Sequence, residues 1–152
     1  MLHTWIDGIS ADVVPVDDRG LNYADGVFET LFCTRGQILG AQLHEARLAQ
    51  GLARLTFPNA HSLAEAVFAT ARRVLSGVGH SGVARLTVTR GSGKRGYTPD
   101  KNATPRSILV AQDDRVLYKH GVRCGRAETR WADQPQLAGL KLLARTEQVL
   151  AA

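Results

Sequence analysis

The chain has 152 residues, of which 44% are hydrophobic and 22% charged, and it carries a formal net charge of +5. This composition is typical of one soluble globular domain and excludes a disordered or fibrous chain. The basic residues are scattered without a long run of like charge, so we expect no nucleic-acid partner. A small anionic substrate or a phosphorylated cofactor accounts for the charge equally well.

The N-terminus and the cysteines indicate where the protein resides. The first residues contain no basic region followed by an apolar run, and no stretch is long enough to cross a bilayer, so we expect neither secretion nor a membrane partner. Cys33 and Cys124 lie in apolar surroundings without metal-ligand spacing, which predicts buried free thiols in the cytoplasm. The histidines show no paired spacing, so no metal site is expected.

In chain order, the first predicted elements are short strands. Extended residues from Trp5 to Val16 are interrupted by Asp7-Gly8, a favoured hairpin pair. Residues 17–26 are rich in turn formers, and the branched and aromatic residues from Val27 to Thr34 then predict a strand. Arg35-Gly36 follows as a turn.

Two consecutive helices come next. A leucine spacing typical of one helix face predicts a first helix from about Leu43 to Leu55, which Pro58 prevents from continuing. Ser62 and Glu65 form a capping-box pattern, so a second helix is expected to begin there and to end near Gly77.

The rest of the chain predicts further strands and a final helix. Residues 84–88 alternate between apolar and polar side chains, as in a half-buried strand. Ile108 to Ala111 predicts a short apolar strand, Val122 to Cys124 another, and Leu143 to Ala152 a helix without a cap. This order of elements favours an α+β fold with a largely antiparallel sheet.

Lys141 is the first candidate for chemistry because apolar residues flank it in the segment LAGLKLL. Burial lowers the pKa of a lysine by disfavouring the ammonium form, and the neutral amine is what attacks a carbonyl to form a Schiff base. A lysine whose stem covers the edge of a core gives the same pattern. The residues alone leave both interpretations open.

Two further segments are candidates for binding an anion. His44 and Arg47 share a helix face, and the guanidinium of Arg47 can fork two N–H groups onto a phosphate, although a solvated arginine has the same spacing. The Gly-rich residues 90–97 follow a predicted strand, and their backbone N–H groups can cradle an anion. The spacings of a P-loop and of a nucleophile elbow are both absent there, and a mobile basic loop is the other interpretation.

Four ordered segments together resemble the fold-type IV pyridoxal-phosphate enzymes, a family of D-amino-acid and branched-chain aminotransferases and aminodeoxychorismate lyases. The segments are residues 18–30 (DRGLNYADGVFET), 44–48 (HEARL), 89–97 (TRGSGKRGY) and 137–151, where LAGLK is followed by EQVLA. The last two segments are most similar to the lyases. The resemblance covers essentially the whole chain.

The resemblance implies a fold and a domain organisation. Residues 1–117 would form the small N-terminal α+β domain of a D-amino-acid aminotransferase-like enzyme, with a mostly antiparallel sheet and two helices. Residues 118–152 would form an interdomain segment and the beginning of an incomplete, truncated cofactor domain. Homodimers are typical of the family.

The resemblance also implies a reaction, the conversion of 4-amino-4-deoxychorismate, a small anionic substrate, to 4-aminobenzoate and pyruvate in folate biosynthesis, with pyridoxal 5'-phosphate as cofactor. Lys141 would hold the cofactor and move protons, and Arg47 would bind the cofactor phosphate. The resemblance also implies Thr30 as a weaker catalytic candidate. It implies three substrate-binding residues: Arg95, Tyr97 and Phe28.

The chain departs from the lyase pattern in two ways. Leu142 and Ala144 stand where the lyases usually have His and Asn, so the hydrogen bonding around Lys141 is expected to differ. The family also continues into a second domain that supplies a carboxylate facing the pyridine nitrogen. We therefore expect the 152-residue chain to be poorly active or inactive, and the apolar side of its final helix to promote association.

Two alternatives remain. An aminotransferase of the same family would use Lys141 in the same way but return the amino group to a keto acid. A non-catalytic basic module would bind nucleic acid or a partner through Lys94, Arg95 and their neighbours, and its binding would depend on salt.

Overall fold

A computed structural model describes residues 2–113 and 121–152. The boundary expected between residues 117 and 118 lies outside the described residues. The elements in chain order are β1 (Leu2–Ile6), β2 (Ile9–Ser10), α1 (Arg19–Tyr23), β3 (Gly26–Thr34), β4 (Gln37–Ile38), α2 (Ala41–Arg54), α3 (Ala60–Gly77), β5 (Gly82–Thr89), β6 (Arg106–Gln112) and α4 (Thr146–Ala151).

These strands form one sheet in the order β2-β1-β6-β5-β3-β4. Each neighbouring pair in it is antiparallel. The predicted α+β fold with an antiparallel sheet is therefore confirmed. The central strands β3, β5 and β6 are joined over most of their length, so they form the rigid platform on which the site is built.

Two tight turns shape the ends of the sheet, as the sequence predicts. Asp7-Gly8 joins β1 to β2, Arg35-Gly36 joins β3 to β4, and all four residues have positive φ. Two residues with positive φ match the right-handed twist of the flanking strands. At Gly36 a Cβ atom would lie 2.5 Å from the Cα of Ser76 on α3, so the second turn also needs a glycine for close packing.

Helices α2 and α3 pack on one face of the sheet and enclose the core. The fully buried side chains of this layer come from both helices and from the sheet, namely Leu48, Leu52, Phe68, Leu75, Leu31 and Leu86. Burying a side chain of this size contributes about 1.5–3 kcal/mol. Strand alternation places Val27 and Leu31 on this covered face and Phe28 and Thr30 on the opposite one.

The second helix begins earlier than the capping-box pattern predicts. Helix α3 starts at Ala60, Asn59 precedes it with a φ of 50°, and no side chain caps it, so Ser62 lies inside the helix. Positive φ at Thr56 and Asn59 turns the chain back toward the sheet before Ser62 is reached. The earlier start buries Ala60 in the core, which favours it over the cap at Ser62.

Three other expectations are corrected. Residues 19–23, expected to be a turn-rich loop, form the short helix α1, whose first turn is capped by the carboxylate of Asp18 accepting from the N–H of Gly20 at 2.8 Å. Val122 to Cys124 form no strand, and Cys124 is exposed rather than buried, whereas Cys33 on β3 is buried as predicted. Both edges of β6 are already occupied by β1 and β5, so β6 offers no free edge to pair with residues 122–124.

Candidate functional site

The segment around Lys141 adds to the free edge of β3. The N–H of Phe28 donates to the carbonyl of Lys141 at 3.0 Å, and the N–H of Leu143 donates to the carbonyl of Gly26 at 3.2 Å. Because residues 141–143 pair with a strand, the final helix is shorter than predicted and begins at Thr146. The main chain of the sheet therefore fixes the position of the lysine.

The close approach at this edge requires a glycine. A Cβ atom at Gly26 would lie 2.3 Å from the carbonyl oxygen of Val88 and 2.9 Å from Cδ1 of Leu143. Leu142 packs against the core, which accounts for an apolar residue where the lyases usually have histidine. Ala144 is exposed, and the Nε of Arg145 donates to the carbonyl of Leu142 at 3.0 Å.

Lys141 projects onto the face of the sheet opposite the helices. Its Nζ lies 4.5 Å from the centre of the Phe28 ring, and the residue is half-buried. Burial lowers the pKa of Lys141; Glu29 opposes this shift, and three guanidinium groups add to it, those of Arg47, Arg145 and Arg85. The predicted desolvation of this lysine is thus present, and it increases the fraction of the reactive neutral amine.

Arg47 is held by a buried carboxylate that the sequence analysis did not single out. Its Nε donates to Oε1 of Glu29 at 2.7 Å and its Nη2 donates to Oε2 at 2.5 Å. The Nδ1 of His44 lies 2.8 Å from Oε2 of the same carboxylate. The hydrogen bonds from Arg47 to Glu29, together with the charge of that carboxylate, raise the pKa of Arg47. Glu29 therefore orients the predicted phosphate-binding arginine, and 46% of the Arg47 side chain stays exposed to receive an anion.

A signal for Glu29 was present in the sequence. The residue occupies an inward position of the strand between Val27 and Leu31, and it is completely buried. A carboxylate at such a position must be paired with a cation, because an unpaired buried charge is strongly unfavourable. The partner was not evident because it lies on a helix, not on the strand.

The loop that carries Arg95 and Tyr97 is anchored on α1. The guanidinium of Arg19 donates to the carbonyls of Gly96 and Tyr97, both at 2.9 Å, and the N–H of Gly96 donates to the hydroxyl of Tyr23 at 2.9 Å. Arg95 is exposed, and the Tyr97 side chain is 90% exposed. The loop is therefore held in place, with the two predicted substrate-binding side chains at its surface.

A cavity of about 380 Å³ is lined both by this loop and by residues that follow Lys141, but not by Lys141 itself. Tyr97 and Tyr23 line it on one side, and Leu142 and Ala144, which follow Lys141, line it on the other. Within the described residues no direct contact joins Arg95 or Tyr97 to Lys141. Thr30 shares the sheet face of Phe28, two positions along β3.

Arg19, which anchors the loop, belongs to a buried ion-pair network that was not predicted. Oδ2 of Asp25 accepts from the Nε of Arg19 and from the Nε of Arg90, each at 2.9 Å. Arg19 and Arg90 are almost fully buried, and Arg90 also donates to the carbonyl of Leu55 at 2.6 Å. Two buried cations thus share one carboxylate and join α1, β5 and the end of α2.

The site combines a half-buried amine with a guanidinium held in a fixed orientation, two groups that suit a phosphorylated aldehyde. The chain belongs to the class IV aminotransferase family, since Amino-transferase class IV matches residues 26–152. Members of this family use pyridoxal 5'-phosphate. The fold-type IV, aminotransferase-like fold expected from the resemblance is therefore confirmed.

Individual relatives are similar over nearly the whole chain. An aminodeoxychorismate lyase of Vibrio harveyi is 33% identical over 97% of this chain and 55% of that protein. The crystal structure of a 4-amino-4-deoxychorismate lyase from Pseudomonas aeruginosa is 43% identical, with a TM-score of 0.86 over 97% of this chain and 55% of that one. A fold IV transaminase from Curtobacterium pusillum is 25% identical, with a TM-score of 0.66 over 96% of this chain and 57% of that one. The chain thus spans about half the length of these relatives.

Two further observations concern partners. No helix in the described part of the chain is long and apolar enough to cross a membrane. Among residues 2–113 and 121–152, no group of three histidine, cysteine or carboxylate side chains is arranged to hold a metal ion.

Proposed function

We propose that the protein is a pyridoxal-phosphate-dependent aminodeoxychorismate lyase, which converts 4-amino-4-deoxychorismate to 4-aminobenzoate and pyruvate in folate biosynthesis. The observation that carries the proposal is the similarity to two lyases, 33% and 43% identical, in a chain that presents Lys141 and Arg47 on neighbouring elements. Because the chain spans about half of each relative, the activity proposed is that of the whole protein.

The residues present fit the cofactor. Lys141 supplies an amine whose pKa burial lowers, as capture of an aldehyde requires. Arg47 supplies a guanidinium that Glu29 has already oriented, and its exposed N–H groups suit a phosphate. The two groups are close enough for the charge of Arg47 to lower the pKa of Lys141. One small molecule that carries an aldehyde and a phosphate can therefore engage both.

In the proposed reaction the cofactor, when bound, withdraws electrons from the ring carbon that carries the substrate amino group. Lys141 Nζ removes the proton from that carbon, and the ether bond to the neighbouring carbon breaks as the ring becomes aromatic. The departing enolpyruvate then gains a proton at its methylene carbon and leaves as pyruvate. We propose that Thr30, which shares a sheet face with Phe28, assists this step, and that Phe28, against the amine, limits the access of water.

Arg95 and Tyr97 are proposed to bind a carboxylate of the substrate. Their loop is anchored by Arg19, and Tyr97 borders a cavity that Leu142, next to Lys141, also lines. A loop fixed by its main chain but exposed through its side chains suits a substrate that arrives from solvent. Replacing Arg95 by Gln should raise KM without removing the cofactor.

We also propose that the protein works in the cytoplasm as a homodimer. The free, exposed thiol of Cys124 supports a reducing compartment. Phe32, Leu39 and Leu43 are exposed apolar side chains near β4 and the start of α2, which supports association. Sedimentation equilibrium of the protein measures the oligomeric state directly.

An aminotransferase is the second candidate, favoured by the 25% identical fold IV transaminase. The products separate the two functions. The protein is incubated with pyridoxal 5'-phosphate and 4-amino-4-deoxychorismate, and 4-aminobenzoate and pyruvate are quantified by chromatography. In parallel it receives an amino acid and a keto acid. Equal amounts of 4-aminobenzoate and pyruvate, lost in Lys141→Ala, support the lyase; a new amino acid with no 4-aminobenzoate supports the aminotransferase.

A further inference from the structure

Three cations surround the ring of Phe28 on the sheet face opposite the helices. The Cζ of Arg85 lies 3.9 Å from the ring centre, the Nζ of Lys141 4.5 Å and the Cζ of Arg145 5.2 Å. An aromatic face attracts each cation through its quadrupole, but it does not neutralise them. The arrangement therefore concentrates positive charge around one buried aromatic ring.

Separate segments of the chain build this cluster. Arg85 lies on β5 opposite Thr30 of β3, so strand pairing brings it next to Phe28. Arg145 follows the residues that extend the sheet, and its Nε is fixed by the carbonyl of Leu142. The hydrogen bond uses Nε only, so both Nη groups of Arg145 remain available to a ligand.

The two arginines differ from the other arginines near the site in having no carboxylate partner. Arg47 is paired with Glu29, and Arg19 and Arg90 are paired with Asp25. Among residues 2–113 and 121–152, neither Arg85 nor Arg145 forms a salt bridge. In the described part of the chain, the Arg85 side chain makes one hydrogen bond, from Nε to the hydroxyl of Thr87 at 3.5 Å. Burial lowers the pKa of Arg85, and the charge of Arg145 lowers it further, as expected for neighbouring cations without an anion between them.

We propose that Arg85 and Arg145 form a carboxylate-binding site above the Phe28 ring, which takes one carboxylate of a cyclic, unsaturated dicarboxylate. This inference rests on the proposed function and specifies how its substrate is held. Two forked guanidinium groups match the planar oxygens of a carboxylate. Lys141 is adjacent, so a ligand held there lies next to the reactive amine.

The second carboxylate of such a ligand is left for another cation. Arg47 is committed to Glu29 and to a phosphate, whereas Arg95 is exposed on the anchored loop. The site of Arg85 and Arg145 is distinct from that loop, because it is built on β5 and on the residues after Lys141. The two sites together predict selectivity for dicarboxylates over monocarboxylates of the same ring.

The test uses isophthalate, benzene-1,3-dicarboxylate, as a stable probe, with titration calorimetry on the 152-residue chain. Arg85→Gln and Arg145→Gln are each expected to weaken isophthalate binding at least fivefold, and the double variant to abolish it. Arg126→Gln removes an exposed cation elsewhere and should leave the affinity unchanged. Circular dichroism verifies that each variant is folded. Affinity that is unchanged in the double variant overturns the inference, as does equal weakening by Arg126→Gln.

A second measurement separates this inference from the proposed function. Each variant is incubated with pyridoxal 5'-phosphate and reduced with borohydride, and the adduct is located by peptide mass mapping. Labelling of Lys141 that persists in Arg85→Gln and Arg145→Gln while isophthalate binding is lost supports a substrate site. Labelling of the parent chain without any isophthalate binding overturns the site and leaves the proposed function standing. Arginine-dependent isophthalate binding without labelling of Lys141 overturns the substrate assignment together with the proposed function.

Discussion

Replacing Glu29 by Gln is the most direct perturbation of the candidate site. Glutamine keeps the shape of the side chain but removes the charge and places an amide donor where two donors already point, those of Arg47 and His44. A hydrogen bond to a charged group contributes about 1.5–3 kcal/mol. Because the Arg47 side chain is 46% exposed, solvent screens part of this contribution, and we expect a loss of about 2 kcal/mol for the whole substitution.

For a domain of this size, a loss of that magnitude lowers Tm by roughly 4–8 °C. Thermal unfolding followed by circular dichroism measures it, and Glu65→Gln on the exposed face of α3 is the matched control. The variant should also bind pyridoxal 5'-phosphate more weakly, because Arg47 loses the carboxylate that orients it. If Glu29→Gln and Glu65→Gln unfold within 1 °C of each other, Glu29 does not hold Arg47 in the way described.

Four further predictions concern the neighbouring residues. Arg47→Lys keeps a positive charge beside Glu29 but cannot donate a fork, so the affinity for pyridoxal 5'-phosphate should fall by roughly tenfold, about 1.4 kcal/mol, while that for unphosphorylated pyridoxal stays the same in a fluorescence titration. Lys141 should be labelled by pyridoxal phosphate and borohydride at lower pH than Lys94 or Lys101, since its pKa is lowered; equal labelling at every pH would contradict the burial described. For the same reason the unfolded state binds more protons in the window below 10.5, so stability should rise with pH there by an increment that Lys141→Met removes. Gly26→Ala should destabilise the chain by about 2 kcal/mol in urea and lower the labelling of Lys141, whereas Gly77→Ala, whose added Cβ meets nothing within 4 Å, should be neutral or stabilising.

The elements that the sequence predicted well are those that local rules specify. The alternation of β5, the leucine spacing of α2 and the two hairpin turns depend on neighbouring residues only, and the structure has each where expected. The start of α3 depended on which residue the core would bury, and Ala60 prevailed over the cap at Ser62. The local sequence pattern alone does not predict which of these two starts the helix adopts.

The residues of the candidate site were also predicted only in part from the sequence. Lys141 and Arg47 were identified because a family resemblance marks them. The residues that surround Lys141 and Arg47 were not identified. Glu29 is buried on β3, and Arg85 comes close to Phe28 only because β3 pairs with β5. Spacing along the chain does not predict contacts between strands. A lone acidic residue at an inward strand position does indicate that a cation must lie nearby.

The edge pairing of Lys141 has a consequence for how the protein folds. Residues 141–143 pair with β3, which lies far from them in sequence, so this contact closes a very long loop. Closure of so long a loop is entropically unfavourable, and the pairing of β3 with β5 and of β5 with β6 precedes it more readily. A chain in which this pairing has not yet formed is therefore expected to present an ordinary surface lysine with little tendency to capture aldehydes.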